Sequence, residues 1–132
     1  MGSLRACVAL VTGHAFYEVV KNATNKEVVK NATNKLTEQM ADDLRPHGVA
    51  CVAVSPGFIR LERMQLTPER AALTESPEFV GRAVAALASD DDCLEKSGRV
   101  LTTPELAREY GFTDVDGGQQ SAFWDEHWAG PR

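Results

Sequence analysis

A nine-residue tandem repeat is the feature that most constrains how this chain of 132 residues can fold. Residues 18–26 read EVVKNATNK, and residues 27–35 repeat them without change. Nine residues make about 2.5 turns of helix, so one extra copy rotates everything before it by roughly 180° and displaces it by about 13.5 Å along the axis. Apolar residues on either side of the insertion should therefore face opposite ways, unless one copy loops out.

Residues 16–44 show the periodicity of a helix that contains this repeat. One arc carries apolar residues at spacings of three and four: Val28, Val29, Ala32, Leu36, Met40 and Leu44. Val19, Val20 and Ala23 fall on nearly the opposite side. The asparagines and threonines of both copies are weak helix formers. Two interpretations therefore remain open: one long helix with two apolar stripes, or a helix from which one copy of the repeat is extruded.

Short apolar runs alternate with helical segments along the rest of the chain. Buried parallel strands are predicted at residues 6–11, 49–54 and 98–102. Further helices are predicted after Thr67 and Pro68, from the cap Ser76 to residue 88, and at residues 104–110, ended by Gly111. This order predicts an α/β fold with a parallel sheet of about three strands, flanking helices and one unusually long helix. We expect a single domain over residues 1–132, with an irregular C-terminal tail at residues 112–132.

Composition and charge exclude several classes of function. The net charge is −5 and there is no cluster of basic residues, which argues against a nucleic-acid partner. The longest apolar run, residues 6–11, is too short to cross a membrane, and the amino terminus does not resemble a signal peptide. Cys7, Cys51 and Cys93 are widely spaced, which favours the reducing cytoplasm over a disulfide framework, and no metal site is predicted from their spacing.

Tyr17 and Lys21 are four residues apart, a spacing that places both side chains on one helix face. A neighbouring lysine lowers the pKa of a tyrosine, which makes the phenol a usable general acid or base. The same spacing is common on solvated helix surfaces, so the pair alone does not identify a catalytic site.

Several segments, taken in order, resemble the short-chain dehydrogenase/reductase family. Residues 8–13 (VALVTG) are similar to the first strand and first glycine of a dinucleotide-binding fold. Residues 36–49 resemble the passage from the catalytic helix to the next strand, and residues 54–59 (VSPGFI) resemble the Pro-Gly turn at the nicotinamide. Three later segments are similar to the ending of the subgroup called dehydrogenase/reductase member one: residues 97–101, 106–111 and 114–117.

This resemblance implies a partial Rossmann-like domain, NAD or NADP as cofactor, and a small carbonyl or alcohol as substrate. Tyr17 would exchange a proton with the substrate oxygen, and Lys21 would lower the pKa of that tyrosine. The resemblance also implies a set of cofactor-binding residues: Thr12, Gly13, Lys21, Pro56, Gly57 and Ile59.

The chain departs from the family pattern in several places. Gly13 is not followed by the later glycines of the phosphate loop, no Asn-Asn-Ala-Gly segment is present, and no serine stands in the catalytic position. Leu61 replaces the threonine that follows the Pro-Gly turn, and the residue in register with Leu36 as the catalytic tyrosine is Lys26 rather than Tyr17. We therefore expect a catalytically impaired oxidoreductase of this type; the alternative is a non-catalytic α/β remnant or an oligomerising interaction module.

The missing strands raise a question of topology. In the family, other strands lie between the first strand and the one that ends in Pro-Gly. Here these two strands must pair directly, pair with another copy of the chain, or leave their edges exposed. Because exposed edges favour association, we expect a homo-oligomer.

Overall fold

A computed structural model describes residues 7–11 and 23–119, and the side chains of residues 31–119 among them. The strands are β1 (Cys7–Val11), β2 (Ala50–Ser55) and β3 (Val100–Thr102). The helices are α1 (Ala23–Leu44), α2 (Pro68–Ala71), α3 (Pro77–Ala88) and α4 (Thr103–Tyr110). Two 3-10 turns lie at Arg45–His47 and Cys93–Lys96. The predicted α/β class and the long helix are confirmed.

The described strands form one parallel sheet in the order β1-β2-β3. β1 pairs directly with β2, with Cys7 opposite Ala50 and Val11 opposite Val54. β3 pairs with the other side of β2, where Val54 lies opposite Leu101. Of the three arrangements considered for the first two strands, direct pairing within the chain is the one adopted.

Helix α1 runs without interruption from the end of the first repeat copy through the whole of the second. Residues 27–35 are therefore helical and are not extruded. The residues of the first copy before Ala23 lie outside the described part of the chain.

The face that α1 buries differs from the predicted stripe. Thr37 and Ala41 are wholly buried, whereas Leu36, which belongs to the apolar arc, is 50% exposed. Ala41 packs against Gly98, where a Cβ added to the glycine would lie 3.5 Å from the Cβ of Ala41. A large side chain in place of Ala41 would separate α1 from the sheet, so small residues occupy this face.

Helix starts follow the local capping signals. Thr67 caps α2 and Ser76 caps α3, each with a proline in the first turn, as predicted. Thr102 and Glu105 form a reciprocal capping box at the start of α4, and Gly111 ends that helix with a positive φ of 75°. Each of these signals lies within a few residues of the backbone that it stabilises.

The core lies between β2 and the helices. Every residue of β2 is buried, as expected for a central parallel strand. One cluster joins β2 to α3 and α4, and its members are Ala50, Val52, Val54, Ala83, Leu87, Cys93, Leu101 and Leu106. Within the described residues, no helix is long and apolar enough to cross a membrane.

The predicted C-terminal tail is described only as far as Gln119. Phe112 packs edge-on against Phe79, with ring centroids 5.4 Å apart, and Asp114 is buried. The first part of this segment is therefore irregular in backbone but packed on the core.

Candidate cofactor site

The candidate site lies where the parallel strands end. In open α/β sheets, ligands bind outside the carboxyl ends of the strands. β1 ends at Val11, level with Val54, and β2 ends at Ser55. The buried Pro56 and half-buried Gly57 follow at this edge, and β3 ends beside them at Thr102.

The segment that follows Pro56 is held by a short parallel bridge between Ile59 and Glu75. The Glu75 N–H donates to the Phe58 carbonyl at 2.8 Å, and the Arg60 N–H donates to the Glu75 carbonyl at 2.7 Å. In a strand, the N–H and C=O of one residue point to the same side, and neighbouring residues alternate. The N–H and C=O of Ile59 are therefore directed away from Glu75.

The side chain of Arg60 folds back onto the same segment. Its Nη1 donates to Thr74 Oγ1 at 2.9 Å and to the Ala71 carbonyl at 3.3 Å. The Thr74 hydroxyl in turn donates to the Ala71 carbonyl at 2.7 Å. This guanidinium therefore stabilises the loop around α2 and the bridge.

Two buried carboxyl groups lie beneath this loop. The hydroxyl of Thr103 lies 2.7 Å from each carboxyl oxygen of Glu75, and both residues are buried. Asp114 accepts hydrogen bonds from the Ser76 hydroxyl, from the Ser76 N–H at 2.9 Å and from the Val115 N–H at 2.7 Å. Burial opposes ionisation of Asp114, but these hydrogen bonds outweigh it and hold the pKa of the carboxyl below its ordinary value.

The structure therefore brings together three of the predicted cofactor-binding residues: Pro56, Gly57 and Ile59 lie in one loop at the expected edge of the sheet. Thr12, Gly13, Tyr17 and Lys21 lie outside the described residues. The roles assigned to all of them remain predictions.

Lys26 occupies the register position of the family tyrosine on a continuous helix. It precedes Leu36 by ten residues within α1, and no break in that helix restores the position to Tyr17. The pentapeptide in register on the described helix is therefore KEVVK, at residues 26–30.

Sequence reasoning missed Glu75, Thr103 and Asp114 as parts of this region. Glu75 and Thr103 adjoin the helix caps Ser76 and Thr102, and Asp114 lies in a segment noted only for its resemblance to the family, so none of the three had a separate signal. Glu75 and Thr103 are 28 residues apart, and Ser76 and Asp114 are 38 apart, so neither contact has a local pattern. Among the described residues, no group of three or more His, Cys, Asp or Glu side chains could hold a metal ion.

Comparison with known proteins supports the resemblance. No protein-family model matches the chain. The protein named dehydrogenase/reductase SDR family member 1 from Mus musculus is 38% identical over 97 residues, which cover 62% of this chain and 31% of that protein. The protein of the same name from Homo sapiens is 36% identical over the same shares of the two chains.

The chain is therefore similar in sequence to two proteins named as members of the short-chain dehydrogenase/reductase family, in agreement with the resemblance drawn from its motifs. It spans about a third of the length of these curated relatives.

Proposed function

We propose that this chain is an oxidoreductase of the short-chain dehydrogenase/reductase type that keeps the nicotinamide end of an NAD(P) site and is catalytically impaired. The family relationship and the loop of Pro56, Gly57 and Ile59 support the cofactor assignment. When bound, the nicotinamide would supply or accept a hydride, and the substrate would be a small carbonyl or alcohol.

The described residues fit one end of such a cofactor. The Ile59 N–H and C=O, directed away from Glu75, offer a donor and an acceptor to an amide group such as that of nicotinamide. The half-buried Gly57 carries no side chain to obstruct a ring at the strand end. The phosphate end fits less well, because the sequence after Gly13 lacks the glycines that let backbone approach a pyrophosphate.

The continuous path of α1 supports the proposed impairment. On that path, counted back from Leu36, the position of the catalytic phenol would be taken by Lys26. A lysine has an ordinary pKa of about 10.4 and remains a cation near neutral pH, so it does not reproduce the neutral phenol that donates a proton to a carbonyl.

Deleting one repeat copy tests the impairment. Removal of residues 18–26 or of residues 27–35 gives the same protein, with Tyr17 ten residues before Leu36. Because a positioned general acid contributes roughly 10²–10⁴-fold, we expect reduction of small carbonyls to rise at least about tenfold above the parent chain. Tyr17→Phe should abolish this gain in the deleted chain and leave the parent unchanged.

Titration with NADH and NADPH, followed by cofactor fluorescence, tests the binding half of the proposal. Saturable binding is expected for the parent and the deleted chain. No binding at millimolar cofactor would refute the cofactor site. A parent chain as active as the deleted one would refute the impairment.

Association of copies is a second candidate property. Leu36 on α1 is half-exposed, and β1 has a single neighbouring strand among the described residues. An open strand edge and an exposed leucine both favour contact with a second copy. Cys51 and Cys93 are buried, and the wide spacing of the three cysteines along the chain accords with a cytoplasmic location. Mass measurement over a range of concentrations, with Leu36→Glu as the variant, should detect a homo-oligomer that this substitution weakens.

A further inference from the structure

Glu75 is only 1% exposed to solvent, although the proposed chemistry assigns its carboxyl group no role. Its backbone forms the bridge to Ile59, so the same residue contacts the loop with its main chain and the interior with its carboxyl group. Burial of a carboxyl group is costly unless it is hydrogen-bonded. This position therefore has a structural requirement beyond the backbone bridge.

One hydrogen-bond partner of that carboxyl group, the Thr103 hydroxyl, is fixed to the sheet. Thr103 directly follows β3 and is the first residue of α4, and it is wholly buried. The capping box next to it, in which the Thr102 N–H donates to Glu105 at 3.0 Å, holds this junction in place. The Thr103 hydroxyl thus presents a donor at a defined position under the loop.

We infer that the hydrogen-bonded pair of Glu75 and Thr103, which we call the clasp, positions the backbone N–H and C=O of Ile59 to bind the amide group of the nicotinamide. Contacts of the two residues that flank Glu75 also hold the clasp in place: Arg60 donates to the Thr74 hydroxyl, and the Ser76 N–H donates to Asp114. The inference rests on the proposed function and assigns the clasp to one end of the cofactor.

Binding of two ligands by the same variants tests the clasp. NADH contains the nicotinamide, whereas ADP-ribose shares its adenosine, pyrophosphate and ribose but lacks that ring. Thr103→Val removes the hydroxyl at similar volume, and loss of a hydrogen bond to a carboxyl group should weaken NADH binding roughly tenfold. ADP-ribose binding should change less than about twofold, by the same reasoning, because the clasp does not touch that part of the ligand.

Two controls separate positioning from general stability. Thr103→Ser retains the hydroxyl and should restore NADH binding. Tyr110→Phe removes a hydroxyl that donates to Asp90 at the other end of α4, and it should leave the ratio of the two affinities unchanged. Equal weakening of both ligands by Thr103→Val, or no weakening of either, would overturn the inference.

Amide hydrogen exchange gives a readout that needs no cofactor. The Glu75 and Arg60 amides form the bridge, so Thr103→Val should speed their exchange roughly tenfold while the amides of β2 keep their protection. Unchanged exchange at both amides would overturn the inference. If the parent chain binds no NADH, the proposed function fails and the cofactor role of the clasp fails with it; exchange then decides whether the clasp holds the loop.

Discussion

The two ends of the sheet are held by polar groups of different kinds. At the carboxyl end, the clasp and the Asp114–Ser76 contact are buried and involve hydroxyl and backbone donors. At the amino end, Lys96 lies between Asp90 at 3.2 Å and Glu109 at 2.8 Å, and its cation is 5.4 Å from the centre of the Tyr110 ring. The carboxyl end therefore fixes loops at the candidate site, and the amino end ties the end of α4 to the turn after α3.

Lys96, Asp90, Glu109 and Tyr110 form a cluster at the amino end, and their contacts shift several of their pKa values. A hydrogen bond from Tyr110, 2.5 Å long, is the largest influence that lowers the pKa of Asp90. The contact with Glu109 raises the pKa of Lys96, and burial followed by the bond to Asp90 raises the pKa of Tyr110. At the carboxyl end, the pKa of Asp114 is lowered by its hydrogen bonds from Ser76 and Val115, against the effect of burial. Asp90, in the turn after α3, is half-buried and accepts the hydrogen bond from the Tyr110 hydroxyl.

The largest change in the free energy of unfolding is expected at the carboxyl end of the sheet. Asp114→Ala leaves the Ser76 N–H and hydroxyl without their buried acceptor, and we expect it to lower the free energy of unfolding by about 3 kcal/mol. Urea denaturation measures the loss. Asp43→Ala, at an exposed carboxylate on α1, is the matched control and should change stability by less than about 0.5 kcal/mol. Equal effects of the two variants would contradict the structural role of Asp114.

A smaller loss is expected at the amino end. Lys96→Met keeps most of the side-chain volume but removes the cation between Asp90 and Glu109, at an expected cost of about 2 kcal/mol. Lys35→Met is the same change at an exposed pair with Glu38, and it should leave the free energy of unfolding almost unchanged, because solvent screens that pair. If both lysine variants unfold at the same urea concentration, the buried cluster contributes no more than a surface ion pair.

The smallest effect is visible in the pH dependence of stability. The pKa values of Tyr110 and Lys96 are raised in the folded protein. They therefore contribute stability at a pH below their ordinary pKa values, and this contribution is lost as the pH rises above about 10. The lowered pKa of Asp90 and of Asp114 stabilises the fold above their ordinary value of about 3.9, and this contribution is lost as the pH falls below it.

Two variants should separate the alkaline limb of the curve of stability against pH, where stability is lost as the pH rises, from its acid limb, where stability is lost as the pH falls. Tyr110→Phe should cost about 1 kcal/mol at neutral pH by loss of one hydrogen bond and should flatten the alkaline limb of the stability curve. Asp114→Asn should flatten the acid limb and leave the alkaline limb of the parent. Urea midpoints measured from acid to alkaline pH test both, and an unchanged loss of stability at alkaline pH in Tyr110→Phe would show that Tyr110 does not contribute to it.

Much of the fold could be predicted because its signals are local. Thr67, Ser76 and Gly111 mark helix ends through contacts within one turn, and the apolar run of β2 requires burial on both faces. The face of α1 was predicted less well, since periodicity identifies the apolar arc but not the backbone that approaches it. Ala41 is buried against Gly98, whereas Leu36 is half-exposed.

Only part of the candidate site could be predicted. Pro56, Gly57 and Ile59 were found because the segment resembles a known turn, and their shared loop follows from adjacency in the chain. Glu75 and Thr103 carried no such pattern, because a hydrogen bond across 28 residues depends on where two strands and a helix meet.

By itself, the sequence determined the elements of this protein, the order in which they occur and the family that they resemble, because capping, strand burial and the repeat are properties of neighbouring residues. The tertiary structure alone decided that β1 pairs with β2, that the second repeat copy remains in α1, and that Glu75 and Asp114 lie under the loop. These outcomes depend on contacts between distant segments, whose free energy is realised only when the chain is packed.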